Sequence, residues 1–104
     1  MGIRLRVSPQ TLTLLEALLV RRQWHHGYAL SQVTEIASGT LYPILLRLEG
    51  LRWLETKWEQ PGKAGRPPRH LYRLKAGARA WAREELDDAR ARKVWKPAYL
   101  RARA

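Results

Sequence analysis

Residues 61–68 constrain the fold more than any other segment, because they read Pro-Gly-Lys-Ala-Gly-Arg-Pro-Pro. Prolines and glycines at this density exclude a helix or a central strand and predict a loop. The segments on either side, residues 51–59 and 69–75, alternate in part between apolar and polar residues, as strands do. The pattern therefore predicts two strands joined by a loop that carries Lys63 and Arg66, which is a long basic hairpin.

Apolar residues recur at helical spacing ahead of this hairpin. A Ser-Pro pair at residues 8–9 is typical of a helix start, and a leucine stripe predicts a first helix at about residues 9–23. A glycine at position 27 breaks the chain, and a short second helix is predicted at about residues 28–34. The leucines of the first stripe are Leu12, Leu15 and Leu18.

A third helix is predicted from Ser38, which we expect to cap it, to Gly50. Pro43 lies near its first turn, where proline is tolerated. Its apolar residues share one face, which predicts a buried stripe. The stripe consists of Leu41, Ile44, Leu45 and Leu48.

A last helix is predicted after the hairpin, from Ala76 to about Val94, and we expect residues 98–104 to be a frayed basic tail. Three helices, a hairpin and a helix make an α+β fold that is mainly α. A short helix followed by a capped helix is the helix-turn-helix arrangement, and a hairpin directly after it forms a wing. The predicted fold class is thus a winged helix-turn-helix with three N-terminal helices and a two-stranded β wing.

The net charge of the chain is +11, from 20 Lys+Arg and 9 Asp+Glu. Most of it lies in the second half, where residues 51–104 hold 15 basic and 6 acidic residues. Clustered Arg and Lys gain affinity for polyanions by releasing counterions from phosphates. A nucleic acid, and double-stranded DNA for a winged helix, is therefore the expected partner.

Several other classes of protein do not fit this sequence. It has no cysteine, which excludes a disulfide scaffold and cysteine-ligated zinc. His25, His26 and His70 lack carboxylates at ligand spacing, so we expect polar turn residues and no metal. No nucleophile–base pair or glycine-rich phosphate loop is present, so we expect no catalytic residues and no cofactor. The apolar segments are too short for a bilayer, and we expect a cytoplasmic protein with no membrane partner.

Five short segments stand out along the chain: His26-Gly27-Tyr28, Ser38-Gly39-Thr40-Leu41-Tyr42-Pro43-Ile44-Leu45, Leu48-Glu49-Gly50-Leu51, Gly65-Arg66-Pro67 and Tyr72-Arg73-Leu74. On these segments the chain resembles the PadR family of transcriptional regulators over about residues 12–86, and the Gly-Thr-Leu-Tyr-Pro part of the second is the most specific. It departs from the family at Leu46, where Arg is frequent, and at Lys75, where Thr is frequent.

The resemblance implies a homodimeric repressor that binds a pseudo-palindromic operator. It also implies a division into a DNA-binding domain at residues 1–75, a C-terminal dimerisation helix at 76–96 and a basic tail at 97–104. Aromatic and apolar residues of the C-terminal helix are predicted at the dimer interface or at a site for a small hydrophobic or aromatic effector. These residues are Trp81, Leu86 and Trp95.

The residues predicted to contact DNA lie around the third helix and on the wing, because the start of a recognition helix enters the major groove. They are Tyr28, Ser38, Thr40, Tyr42, Pro43, Arg47, Lys63, Arg66 and Arg69. For Ser38 the alternative is capping alone, and for Tyr42 it is packing on the second helix. For the wing residues the alternative is a solvated loop.

Two other functions also fit the sequence. One is a non-specific nucleic-acid-binding protein whose affinity depends on the basic segment from Arg90 to Arg103. The other is a winged helix that contacts a protein instead of DNA. Only a sequence-specific regulator keeps its preference for one duplex over bulk DNA at moderate salt.

Overall fold

The structure is a computed structural model that describes residues 7–20, 23–60, 62 and 65–101. Its elements are α1 (Pro9–Val20), β1 (His25–His26), α2 (Gly27–Thr34), α3 (Ser38–Gly50), β2 (Leu54–Glu59), β3 (Arg69–Leu74), α4 (Ala76–Ala91) and α5 (Ala98–Arg101). The three strands form one antiparallel sheet in the order β1-β3-β2. α2, α3 and the β2–β3 hairpin form a winged helix-turn-helix, so the predicted fold class is confirmed.

The apolar stripe of α3 lies in the core, as predicted. It packs with leucines of α1 and α2, with the inner side of the sheet and with small residues of α4. Burying each aliphatic side chain contributes about 1.5–3 kcal/mol. This burial turns the opposite side of α3 toward solvent. The four stripe residues are Leu41, Ile44, Leu45 and Leu48, each with less than a tenth of its surface exposed.

The sheet has one strand more than predicted. His25 pairs with Tyr72 and His26 with Leu71, so the histidines form β1 and the expected turn was wrong. A strand of two residues is too short to show alternation, and only its pairing with β3 defines it. In the hairpin, β2 and β3 pair directly in an unbroken antiparallel register.

α3 ends in a left-handed turn that does not use glycine. The Trp53 N–H donates to the Leu48 carbonyl oxygen at 3.1 Å, and Arg52 between them has a φ of 63°. This is the Schellman arrangement, in which glycine is the usual left-handed residue. Because the turn extends to residue 53, β2 begins at Leu54 and the predicted strand start at residue 51 was wrong.

α4 ends in the same way, with Lys93 at a φ of 60° and the Val94 N–H bonded to the Ala89 carbonyl oxygen at 3.0 Å. The helix therefore stops at Ala91, and the predicted end near Val94 was wrong.

Near its N-terminal end α4 contacts the end of α1. The buried Arg79 guanidinium donates to the Leu19 carbonyl oxygen at 2.9 Å, which satisfies one carbonyl at the C-terminus of α1.

The chain after α4 folds back onto α1. Trp95 is 7 % exposed and packs against Leu12 and Ala89. Its indole Nε1–H donates to the Thr13 hydroxyl at 3.1 Å. A buried indole needs such a partner, and α1 supplies it.

One carboxylate holds α5 in this position. Glu16 accepts a hydrogen bond from the Ala98 N–H at 2.9 Å and from the Arg101 guanidinium at 3.1 Å. The prediction of a frayed tail from residue 98 was therefore wrong for residues 98–101, because α1 carries a charge partner for them. Residues 102–104 lie outside the described residues.

The helix end at Lys93 gives a test of stability. Replacing Lys93 with Gly removes the cost of a left-handed side-chain residue, and we expect the free energy of unfolding to rise by about 0.5–1 kcal/mol. The matched control is Arg92→Gly, because Arg92 has a φ of −81° and loses the same charge. That control is expected to destabilise by a similar amount. Urea unfolding measures both, and a loss of stability in both variants would contradict the assignment.

Candidate nucleic-acid interface

The solvent side of α3 lies opposite its buried stripe. Residues three and four apart on a helix share a face, so Gly39, Pro43, Leu46 and Gly50 form one row along its middle. Tyr42 lies on one flank of this row and Arg47 on the other. The predicted contacts Ser38, Thr40, Tyr42, Pro43 and Arg47 are all exposed on α3.

Ser38 does not cap α3, so that prediction was wrong. The cap residue is Ala37, whose carbonyl oxygen accepts the N–H groups of Thr40 and Leu41, each at 2.9 Å. Ser38 is instead the first helical residue, and its side chain is exposed. It lies beside backbone N–H groups that have no partner inside the helix, and such groups favour a phosphate.

Tyr42 packs on α2, which was the alternative to DNA contact, and part of its side chain also reaches solvent. Its ring lies over Gly27, the first residue of α2: a Cβ there would be 2.5 Å from Tyr42 Oη and 2.8 Å from a ring carbon. Only glycine leaves room for this contact. The Tyr42 side chain keeps 44 % of its surface exposed, so its outer edge remains available at the helix surface.

A hydrogen bond joins α3 to the wing. The Thr56 hydroxyl on β2 donates to Glu49 Oε2 at 3.1 Å. Tyr72 on β3 lies buried next to this contact. Burial raises the pKa of the Tyr72 hydroxyl, and the neighbouring Tyr42 and Glu49 raise it further. The Glu49–Thr56 hydrogen bond thus joins the base of the wing to α3.

One face of the wing carries a stack of rings. Trp58 and His70 lie directly opposite each other on β2 and β3, with ring centroids 4.4 Å apart and planes 10° from parallel. His70 Nδ1 is 3.1 Å from the Tyr72 hydroxyl. Trp58 is 62 % exposed, so it is a surface residue of the wing and not a core residue.

The opposite face carries a second aromatic contact. Lys57 Nζ lies 4.6 Å and the Arg73 guanidinium 4.3 Å from the centroid of the Trp24 ring. Arg73 also donates to Glu55 Oε2 at 3.0 Å. Each cation–π contact of this kind at an exposed site contributes about 0.5–1 kcal/mol of interaction free energy. Neither ring cluster was predicted from the sequence, although the register of the two strands places Trp58 opposite His70.

Of the wing residues predicted to contact DNA, Arg66 and Arg69 are exposed, and Arg69 is the first residue of β3. Gly65, just before Arg66, has a φ of 89°, a backbone conformation that favours glycine. Lys63 lies outside the described residues. Tyr28, on α2, is 74 % exposed.

The structure does not bring Trp81, Leu86 and Trp95 together. Trp81 packs on Trp53, with ring centroids 3.7 Å apart, beside the main core. Leu86 packs on the separate small cluster that contains Trp95. Most of the surface of Trp95 is covered by its own chain, so Trp81 and Leu86 offer more area to a partner. The dimer-interface or effector role of all three stays a prediction.

The described residues contain no group of three or more His, Cys, Asp or Glu side chains that could hold a metal ion. Within residues 7–20, 23–60 and 65–101, no helix has the length and apolar composition that crossing a bilayer requires.

Comparison with known proteins decides the family. The model of the "Transcriptional regulator PadR-like family" matches residues 14–84, which include α2, α3 and the wing. The chain belongs to the PadR-like family of transcriptional regulators. Members of this family regulate transcription and are not enzymes, so the chain is a transcriptional regulator and not an enzyme.

Solved PadR structures share the fold. A PadR family regulator from Eggerthella lenta is 28 % identical, with a TM-score of 0.64, over 79 % of this chain and 76 % of that one. The smu.1704 protein of Streptococcus mutans is 26 % identical, with a TM-score of 0.64, over 88 % and 87 %. No curated protein sequence matches the chain.

Bacillus subtilis PadR in complex with operator DNA is a more distant PadR-like structure. It is 18 % identical, with a TM-score of 0.54, and the match covers 74 % of this chain but only 44 % of that one. At this identity the likeness extends to the fold alone.

The Gly27–Tyr42 contact yields a prediction. Gly27→Ala is expected to displace the Tyr42 ring and weaken DNA binding about fivefold, with a change of less than about 1 kcal/mol in the free energy of unfolding. In a Tyr42→Ala background the same substitution should have no further effect, because the clash is gone. Gly77→Ala is the control, since a Cβ at Gly77 meets nothing within 4 Å. Equal losses in both backgrounds would disprove the contact.

Proposed function

We propose that this PadR-like regulator is a sequence-specific DNA-binding repressor that acts as a homodimer on a pseudo-palindromic operator. One observation carries the proposal: the exposed side of α3 is held beside the basic wing by the Glu49–Thr56 hydrogen bond. A recognition helix and a wing fixed in this way contact a major groove and its flanking phosphates together. The operator complex of Bacillus subtilis PadR supports DNA as the partner.

The charges support different roles for the two elements. α3 carries one basic residue, Arg47, whereas the loop and the start of β3 carry Lys63, Arg66 and Arg69. Phosphate contacts supply affinity that is independent of sequence, while side chains at base edges supply preference. In the proposed complex the wing anchors the backbone, and the residues from Ser38 to Arg47 select the sequence.

The homodimer is what the resemblance to the PadR family implies, and on a pseudo-palindromic operator its two copies of α3 would lie about 34–36 Å apart, or a multiple of that distance. Half-buried Trp81 and Leu86 on α4 supply apolar area for the contact. Occupation of the operator would block the promoter. We keep the cytoplasm as the expected compartment, because the regulator acts where the DNA is. A small hydrophobic or aromatic effector stays a prediction.

Selection of duplexes from random DNA at two salt concentrations tests this function. We expect the full chain to enrich one inverted repeat and to prefer it to bulk DNA by at least about 1,000-fold at moderate salt. A non-specific nucleic-acid-binding protein would lose affinity for all duplexes equally as salt rises. A winged helix that contacts a protein would enrich no duplex. Either result would disprove the proposal.

The role of the wing gives a separate prediction. Arg66→Ala should weaken binding to all duplexes and reduce the salt dependence, the slope of log affinity against log salt, by about 0.9 for one lost phosphate contact. The matched control is Lys75→Ala, because Lys75 is also exposed and basic but follows β3 at the end far from the wing loop. An Arg66→Ala variant with unchanged affinity and slope would show that the wing does not anchor DNA.

A further inference from the structure

The central row of α3 has no side chain that can donate or accept a hydrogen bond. It consists of Gly39, Pro43, Leu46 and Gly50, all exposed. A single exposed leucine is ordinary on a protein surface. Leu46 differs because it lies in the middle of the helix side that turns away from the core. There it is 69 % exposed.

A molecule that binds this side of α3 can approach the helix backbone closely. A Cβ at Gly39 or Gly50 would meet nothing within 4 Å, so the helix backbone is bare at both ends of the row. Pro43 and Leu46 are the side chains that project between them. The ring of Tyr42 lies over Gly27 and so points away from the row.

On the proposed function, this row faces the floor of the major groove. The base edges there present hydrogen-bond donors and acceptors and one apolar group, the C5-methyl of thymine. A side chain without polar atoms gains nothing from donors and acceptors and desolvates them at a cost. An apolar row therefore favours positions where thymine methyls project into the groove.

We propose that Leu46, with Pro43, reads thymine C5-methyl groups, so that each operator half-site contains thymines opposite the middle of α3. This inference rests on the proposed function and specifies the base chemistry that the site selects. Discrimination at these positions comes from van der Waals contact and the exclusion of water. Arg47, on the flank of the row, is left to contact guanine.

Replacement of thymine by deoxyuridine tests the proposal, because it removes only the C5-methyl and keeps the base pair. The probe is the duplex that the full chain enriches most from random DNA, with each half-site thymine replaced in turn at one fixed salt concentration. We expect about fourfold weaker binding at each thymine whose methyl the protein contacts. The Leu46→Ala variant should bind the thymine duplex several-fold more weakly and lose most of the deoxyuridine effect.

The matched control is Val33→Ala, because Val33 is 71 % exposed and aliphatic but lies on α2. It should keep both the affinity and the deoxyuridine effect. Equal binding of thymine and deoxyuridine duplexes, a full effect in Leu46→Ala, or half-sites without thymine would each disprove the inference while sequence-specific binding stands. If no duplex is preferred, the proposed function fails and the inference fails with it.

Discussion

The burial of one side of α3 is the constraint on which the rest of the structure depends. Leu41, Ile44, Leu45 and Leu48 hold the helix against α1, α2 and the sheet, and each would cost about 2–5 kcal/mol if truncated to alanine. Because helical geometry is fixed, this burial also decides which residues face outward. The exposed row centred on Leu46 is the other side of the same helix and cannot rotate without opening the core.

The wing adds the second element of the interface and shares its base with α3. The Glu49–Thr56 hydrogen bond and the buried Tyr72 join the helix to β2 and β3. The strands are further stiffened by rings on both faces, with Trp58 on His70 and Trp24 between Lys57 and Arg73. Arg66 and Arg69 are thus carried on a wing whose base is joined to α3, as the proposed anchoring of phosphates requires.

Local sequence patterns predicted most of this fold, and what they missed depends on long-range contacts or on non-glycine residues in a left-handed conformation. The stripe of α3 and the Gly/Pro loop of the wing are short-range signals, and both were confirmed. β1 consists of His25 and His26 and exists only through its pairing with β3. The ends of α3 and α4 use Arg52 and Lys93 in left-handed conformation, where sequence rules expect glycine. α5 depends on Glu16, which lies 82 residues before Ala98.

For the candidate site, the sequence indicated the right element and, through the helical period of α3, its buried and exposed sides. It did not indicate the ring of Tyr42 over Gly27, because that contact depends on how α3 packs on α2. In the proposed complex α3 selects the sequence and the wing anchors phosphates. The most direct test of this division is the ratio of the affinities for the selected duplex and for a scrambled duplex. Arg47→Ala should lower that ratio, whereas Arg66→Ala should weaken both affinities alike and leave it unchanged. A ratio that falls in Arg66→Ala and not in Arg47→Ala would contradict this division.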